Sequence, residues 1–248
     1  MKRAGFLLAL GVVAYFLILV FTLPAEQGGD YIESQVPGLS LSALSGSVFN
    51  GQAGRISYQG ISPGSAQWRF QPLALLTGRV EYQLEFSSPG GPGRANAGVT
   101  FAGKAYGHDI DLHLLADDII NQYSPLPVRA SGEINLLVET VIMSDGFPSD
   151  LDGKAVWKSA ALLSPVEMVF GDTVMDLQRV GSELVGVIEN EAGFGVFGEI
   201  AIAPGGKYRI ELSLSPDASV SRDTLLLLES TTSVQADGNY LLRSSGQW

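Results

Sequence analysis

Cysteine is absent from this chain of 248 residues. Disulfide bonds, thiol nucleophiles, cysteine-ligated zinc and iron–sulfur clusters are therefore excluded. A folded domain made from this sequence has to be held together by packing and strand pairing alone. Beyond a short N-terminal segment, the chain is long enough for one large β domain or two small ones.

Positive charge is scarce. The chain carries 15 Lys and Arg against 26 Asp and Glu, which gives a net charge of −11. Lys2 and Arg3 are the only charged residues among the first 25, so the remainder carries 13 basic and 26 acidic groups. A surface of this kind repels nucleic acid and anionic lipid headgroups. We therefore predict no nucleic-acid partner.

Long hydrophobic runs are also rare, and the one that dominates extends from Gly5 to Leu23 without a charged residue. At about 1.5 Å per residue, a helix of this length approaches the hydrocarbon thickness of a bilayer. Lys2 and Arg3 favour a cytoplasmic N-terminus over residues 1–4, which sends the following chain across the membrane. The run predicts a transmembrane anchor over 5–23.

A cleaved signal peptide is the competing interpretation of the same run. The run exceeds the apolar core of about 7–15 residues that signal peptides have. The nearby Leu23-Pro24-Ala25 offers Leu where a small residue is needed, with Pro beside it. No cysteine follows, so a lipoprotein modification is excluded. These observations favour an uncleaved anchor.

Histidine is nearly absent, with only His108 and His113. On a strand, Asp109, Asp111 and His113 would share one face, with His108 and Ile110 on the other, so a metal site is geometrically conceivable. No further ligand cluster completes a coordination shell. The interpretation we adopt is the polar face of a strand, with no metal bound.

Support for catalysis is weak. Ser45-Gly46-Ser47 and Gly181-Ser182 do not make a serine-nucleophile motif, and the chain has no βαβ context. Gly90-Gly91-Pro92-Gly93 has the composition of a loop and not of a phosphate cradle. Many carboxylates are present, but the sequence does not place any pair of them in an apolar pocket, where they could act as a general acid and base. We predict a protein that is not an enzyme and uses no cofactor.

Alternating apolar and polar residues mark the strands. Val80–Phe86 and Lys207–Ser215 each place large apolar side chains on one face. Glu183–Glu189 and Phe194–Ile202 predict a hairpin around Asn190. This alternation gives each strand one apolar and one wet face, as in antiparallel sheets.

Other segments are predicted to connect these strands. Residues 24–40 are polar and contain Gly and Pro, which indicates a linker from the membrane. Residues 87–98 predict a mobile loop. Short helices are expected over Pro72–Gly78, Ala116–Gln122 and Ser221–Glu229.

The predicted fold class is all-β. A single N-terminal transmembrane helix precedes one long, strongly twisted, mainly antiparallel sheet over residues 41–248, with two or three short helices. A sheet of ten or more strands does not stay flat, because strand twist accumulates. We expect a gutter or incomplete barrel with its apolar face inward.

Three motifs then suggest a family. Leu44-Ser-Gly-Ser-Val-Phe-Asn-Gly51 is followed by Trp68-Arg-Phe-Gln-Pro-Leu-Ala-Leu-Leu-Thr-Gly78 and later by Gly153-Lys-Ala-Val-Trp157. With the anchor before them, they resemble protein N of the type II secretion pathway over nearly the whole chain. The first motif departs from that family at Phe49, where Trp is typical. The residues that carry the resemblance are Leu44, Gly46, Val48, Phe49, Gly51, Trp68, Pro72, Leu75, Leu76, Gly78, Gly153 and Trp157.

The resemblance implies an inner-membrane protein of a Gram-negative cell with a periplasmic β domain. It implies a non-enzymatic accessory or assembly component of the machinery that moves folded proteins through an outer-membrane secretin. Its expected partners are the inner-membrane bilayer and other secretion components, reached by protein–protein contacts. The motif residues are then structural or partner-binding, and Trp68 and Trp157 are either core anchors or contact residues.

An alternative function belongs to another class. A twisted sheet with one continuous apolar face is similar in general architecture to groove proteins that bind or conduct lipid. In that hypothesis an accessible groove is lined by strand residues of one face, whereas in the first hypothesis they pack in a closed core. These residues are Val80, Tyr82, Leu84, Phe86, Ile210, Leu212 and Leu214.

Overall fold

The computed structural model describes residues 22–58, 61–123, 128–144, 146–164, 166–190, 193–217 and 220–247. Its main feature is one antiparallel sheet of fourteen strands, in which β1 to β12 follow one another in chain order and β14 and β13 complete the sheet. Strands β1 and β13 stand at opposite ends, so the sheet is not closed. This agrees with the predicted unclosed, mainly antiparallel sheet. The strands are β1 (Leu39–Gly46), β2 (Asn50–Tyr58), β3 (Ile61–Phe70), β4 (Arg79–Ser88), β5 (Gly91–Thr100), β6 (Ala105–Leu115), β7 (Arg129–Ser144), β8 (Phe147–Ser164), β9 (Met168–Val180), β10 (Glu183–Asn190), β11 (Gly195–Ala203), β12 (Lys207–Ser215), β13 (Ser233–Val234) and β14 (Tyr240–Gln247).

In the part of the chain that the structure describes, four short helical segments accompany the sheet. They are α1 (Ala25–Gln35), a 3-10 helix (Pro72–Thr77), α2 (Ala116–Tyr123) and α3 (Arg222–Thr231). The last three confirm the helices predicted from the sequence. Among the described residues, no helix is both long and apolar enough to cross a membrane. All of the predicted anchor over 5–23 except Thr22 and Leu23 lies outside the described residues.

The linker predicted over 24–40 is wrong, because most of it forms α1. Pro24 occupies the N-cap position, and Gly28 and Gly29 lie inside the helix. A Cβ atom at Gly28 would be 2.8 Å from Val48 Cγ2, and one at Gly29 would be 2.4 Å from Leu44 Cδ1. The glycines that suggested a linker therefore allow the helix to lie close against the first strands.

The mobile loop predicted over 87–98 is also wrong. Residues Gly91–Thr100 form β5, which pairs along its length with β4 and over a shorter stretch with β6. Strand pairing on both sides overrides the local composition here, because small residues permit close backbone approach. At Gly98, for example, a Cβ atom would be 2.1 Å from Val80 O.

A bulge in β6 changes the predicted faces of the histidine region. Asp109 has a φ of 49°, and the pairing of β5 with β6 shifts register between Arg94 and Asn96. The extra residue turns His108 to the face that carries Glu81, opposite the face predicted for it. Alternation therefore fails at this position.

The main hydrophobic core lies in the C-terminal half. Helix α3 places Leu228 against a cluster that includes Phe170, Ile188, Phe194 and Tyr240. Ser221 begins the helix, since its hydroxyl accepts a hydrogen bond from Thr224 N–H at 3.1 Å. Burial of large rings around one leucine makes this helix the cover of that half of the sheet.

We predict that Leu228→Ala lowers the free energy of unfolding by about 2–5 kcal/mol, because it leaves a cavity under α3. Leu228 is 4% exposed, whereas Leu226 on the same helix is 54% exposed. The matched control Leu226→Ala should change stability by less than about 0.5 kcal/mol. Denaturant titration of the full-length protein measures both values, and equal losses would contradict this account of the core.

Candidate functional site

An apolar cavity lies between α1 and one face of β1–β5. Its volume is about 540 Å³, within the range of small-molecule pockets. The residues that line it are Ala25, Gly28, Gly29, Ile32, Val36, Leu41, Val48, Ile56, Ala66, Trp68, Val80, Tyr82, Leu84, Phe86, Ala97, Gly98 and Val99.

Strand alternation builds the apolar face of this cavity. Strand β4 contributes Val80, Tyr82, Leu84 and Phe86, the four residues that the groove hypothesis assigned to this strand. The register places Trp68 of β3 directly beside Leu84. Because neighbouring strands are in register, their apolar side chains line one continuous wall.

Small residues explain why the space is not filled. Ala66 and Ala97 lie in the wall beside Phe86 and Tyr82, and α1 presents Gly28 and Gly29. Alanine and glycine reach little of the volume between a helix and a sheet. The cavity therefore depends on small residues of α1 and β5, which were predicted to be a linker and a loop, and on Ala66 of β3.

Trp68 is held rigidly in the cavity wall. Its indole N–H donates to two backbone carbonyl oxygens, Ser47 O at 3.1 Å and Val48 O at 3.0 Å. Its ring lies over Gly51, where a Cβ atom would be 2.6 Å from Trp68 Cζ2. Only glycine at this position leaves room for the ring. The last glycine of the first motif and the tryptophan of the second are therefore in contact.

The rest of the first motif shapes the turn that receives the indole. Gly46 has a φ of 86° and lies next to Asn50 O, so the turn after β1 is tight. Phe49 stacks edge-on against Phe70, with ring centroids 5.2 Å apart. Leu44 and Val48 contact the glycines of α1. The structure therefore brings this motif together with Trp68.

The second motif continues away from the cavity and ends at the surface. Pro72 begins the 3-10 helix, and Gly78, with a φ of 75°, ends it. Leu75 is exposed, and the neighbouring Leu73, Leu76 and Phe101 are more exposed still. We call Leu73, Leu76 and Phe101 the apolar tip.

The third motif lies elsewhere on the sheet. Trp157 of β8 donates its indole N–H to Ser131 O at 2.9 Å and packs against Phe170, with centroids 6.1 Å apart. A Cβ atom at Gly132 would be 2.9 Å from Trp157 Nε1. Gly153 lies close to Val138 on the adjoining strand. Trp157 thus repeats the glycine–indole arrangement of Trp68, but within the C-terminal core.

The groove hypothesis is only half matched by the packing. Leu212 and Leu214 pack against the core that α3 covers, and Ile210 pairs with Ile200 at the margin of that core. The cavity under α1 therefore does not continue as an open groove to the residues predicted in β12. One helix fills its half of the sheet and the other leaves a hollow.

Sequence reasoning missed the helical side of the cavity. Ala25, Gly29, Ile32 and Val36 recur at the spacing of one helix face, and this is the signal that identifies them. Their segment has low overall hydropathy and two glycines, which concealed the periodicity.

The opposite face of β4–β6 carries the most perturbed titratable groups. Tyr106 donates a hydrogen bond to Glu81 at 2.7 Å, and His108 Nε2 lies 3.3 Å from the same oxygen. Burial and then the bond to Glu81 raise the pKa of Tyr106 to about 12. Burial raises the pKa of Glu81, but the hydrogen bonds from Tyr106 and His108 outweigh it and leave a lowered pKa.

The residues considered for a metal site have protein partners instead. His113 Nε2 lies 3.3 Å from Asp111, and His113 Nδ1 lies 2.8 Å from Asn135 Oδ1. Arg94 lies 3.6 Å from Asp111. Within the described ranges, no group of three or more His, Asp or Glu is placed to hold a metal ion.

Two glycine patterns that are typical of active sites in other folds also occur. Residues 60–64 spell Gly-x-Ser-x-Gly, but Ser62 lies in β3 and its hydroxyl donates to Ile56 O at 2.9 Å. Residues 193–198 spell Gly-x-Gly-x-x-Gly, but they lead into β11 and not into a helix. Neither has the strand–turn–helix context that the chemistry requires.

We predict that Gly51→Ala destabilises the protein by about 1–3 kcal/mol, because the new methyl group overlaps the Trp68 ring and Ser45 O. Gly186→Ala is the control, since a methyl group there meets movable ends of Met175 and Leu177 side chains. Denaturant titration followed by tryptophan fluorescence measures both changes. Equal stability of the two variants would contradict the role of Gly51.

Stability at high pH should report the Tyr106–Glu81 bond. The pKa of Tyr106 is about 10 in an unfolded chain and about 12 when folded. The folded state holds this proton more tightly, so the stabilisation is complete below pH 10 and is lost as pH rises through 12. Relative to Tyr106→Phe, the wild-type protein should lose thermal stability over this range. Parallel melting curves for the two proteins would contradict the prediction.

Comparison with known proteins identifies the family. The family model for the type II secretion system (T2SS), protein N matches residues 37–243. The chain is 24% identical to the type II secretion system protein N of Aeromonas hydrophila and 26% identical to that of Vibrio cholerae, in each case over all of both chains. It is 22% identical to the Klebsiella pneumoniae protein of the same name, covering 84% of this chain and 83% of that protein.

No solved structure matches this chain. The family match covers both motifs that pack around Trp68, the apolar tip and the glycine–Trp157 pair. It confirms the resemblance that these residues suggested. The chain belongs to the type II secretion system protein N family.

Proposed function

We propose that this protein is a non-enzymatic accessory or assembly component of the type II secretion machinery. It is held in the inner membrane by residues 5–23, with its N-terminus in the cytoplasm and its β domain in the periplasm. It acts through contacts with other secretion components. Family membership supports the system to which it belongs, and the apolar tip supports the mode of action.

The apolar tip is the observation that carries the contact mechanism. Leu73, Leu76 and Phe101 are 77%, 84% and 69% exposed. Phe101 is tied to the end of the 3-10 helix by a hydrogen bond from its N–H to Gly78 O at 2.8 Å. Large apolar side chains grouped on the surface are typical of a protein–protein contact. Leu73 and Leu76 lie on a 3-10 helix that is already formed, which lowers the ordering cost of binding.

Strand addition at the ends of the sheet is a less suitable mode of contact. The Leu41 N–H of β1 donates to the carboxylate of Glu33, and the Leu39 N–H donates to Val36 O at 3.1 Å. Helix α1 and its C-terminal turn therefore occupy part of the β1 edge. At the other end, β13 has only two residues. Both features reduce pairing with another strand.

The path of the chain supports anchorage close to the β domain. Leu23, the last residue of the predicted anchor, accepts a hydrogen bond at its carbonyl oxygen from Val48 N–H at 2.9 Å. Pro24 forms a bridge with Ser47. The end of the anchor is thus tied to the turn between β1 and β2, which holds that turn next to the bilayer.

We predict that the double substitution Leu73→Glu and Leu76→Glu reduces secretion in cells that depend on this protein for it, because charge at the apolar tip opposes burial against a partner. The amount of protein and its melting temperature should be unchanged, since both side chains are exposed. Secreted and retained substrate are measured by immunoblotting. Leu226→Glu, an exposed leucine on α3, is the control.

Normal secretion by the doubly substituted protein would contradict contact through the apolar tip. An equal defect in the Leu226→Glu protein would contradict it as well, since the effect would then not be specific to this surface. Loss of secretion with loss of the protein itself would assign the leucines a structural role.

We predict that the mature protein retains residues 1–23, because the predicted anchor lacks a suitable cleavage site. Intact mass spectrometry of protein extracted from membranes measures this directly. The protein should also resist alkaline extraction of membranes. A mass that corresponds to loss of the N-terminal segment would show a cleaved signal peptide and contradict the anchor.

A further inference from the structure

We propose that the cavity under α1 holds one acyl chain of a membrane lipid, with α1 as its cover. This inference rests on the membrane anchor of the proposed function and goes beyond it, since secretion contacts do not require a lipid. It assigns a ligand to the cavity, for which contacts through the apolar tip give no role.

The chemistry of the lining excludes most other occupants. Among the lining residues, polar side-chain atoms belong only to Trp68 and Tyr82, and the Trp68 N–H already donates to two carbonyl oxygens. A peptide segment would bring backbone N–H and C=O groups that need partners. Water in such a space would lack the polar partners that hold buried water. A hydrocarbon chain needs neither.

The C-terminal half of the sheet provides an internal comparison. There α3 inserts Leu225 and Leu228 against Phe170 and Phe194, and the space is filled. In the N-terminal half, α1 covers the sheet in the same way but faces it with Gly28 and Gly29 instead of leucines. Dense packing is the usual state of a protein interior, so a helix that leaves 540 Å³ uncovered by side chains indicates a ligand.

The position of the cavity favours membrane lipid as the source. Val48 lines the cavity, and its N–H bonds to Leu23 O, where the predicted anchor ends. A chain that leaves the bilayer at Leu23 places this wall of the cavity at the membrane surface. An acyl chain reaches it without crossing water.

The test uses the full-length protein in phosphatidylcholine vesicles whose acyl chains are brominated, because bromine quenches tryptophan on contact. One variant keeps Trp68 alone (Trp157→Phe, Trp248→Phe), and the control keeps Trp157 alone (Trp68→Phe, Trp248→Phe). We expect quenching of Trp68 to be severalfold stronger than quenching of Trp157, which packs in the filled core. Equal quenching of both, or none, would overturn the proposal.

A second step separates the cavity from mere closeness to the bilayer. In the protein that keeps Trp68 alone, Ala97→Leu fills the cavity and should bring quenching down to the level of Trp157. Asn96→Leu, on the opposite face of β5, should leave it unchanged. Ala97→Val is the smaller substitution if Ala97→Leu does not fold. Undiminished quenching in a folded Ala97 variant would overturn the proposal.

Flotation of the vesicles reports the anchor independently of quenching. Protein that floats with the vesicles and shows no selective quenching of Trp68 disproves the lipid site and leaves the anchor intact. That result is also expected if residues of the anchor itself fill the cavity. Protein that does not float contradicts the anchor, and the lipid site fails with it.

Discussion

A sheet with one apolar face that does not close on itself has to be covered by something else, and this constraint governs the molecule. Fourteen strands follow almost entirely in chain order, so every strand except the two at the ends has a partner strand on both sides. Strand pairing satisfies the backbone but leaves the apolar face of the sheet uncovered. With no cysteine available, helices that lie across that face have to provide the remaining stability.

The two halves of the sheet meet this constraint differently. Helix α3 brings leucines and makes a dry core around Phe170 and Phe194. Helix α1 brings glycines that contact Leu44 and Val48 closely, and a hollow remains under it. Each half nevertheless contains an indole held over a glycine by hydrogen bonds to backbone carbonyl oxygens. The tryptophans therefore act first as structural anchors, and the difference in function lies in the covering helices.

The apolar tip and the cavity are neighbours along the chain but suit different ligands. The leucines of the apolar tip project from a short helix into solvent. The cavity is lined almost entirely by apolar side chains, and the Trp68 N–H in its wall already donates to two backbone carbonyl oxygens. A protein partner suits the first and a hydrocarbon chain suits the second. The cavity wall depends on Gly51, which leaves room for the Trp68 ring, and the apolar tip depends on Gly78, which ends the 3-10 helix and accepts the hydrogen bond from Phe101.

Local sequence patterns determined much of the secondary structure of this protein. Alternation of apolar and polar residues predicts the strands at Val80–Phe86 and Lys207–Ser215. Local patterns also indicate the helix at Ser221–Glu229 and the family motifs. In β6, however, a bulge at Asp109 places His108 on the face opposite the one that alternation predicts. Tertiary structure decided that residues 91–100 form a strand, and that residues 25–35 keep a helix despite the two glycines that hide its apolar periodicity. Small residues favour neither state locally, and only the surface that packs against them selects one.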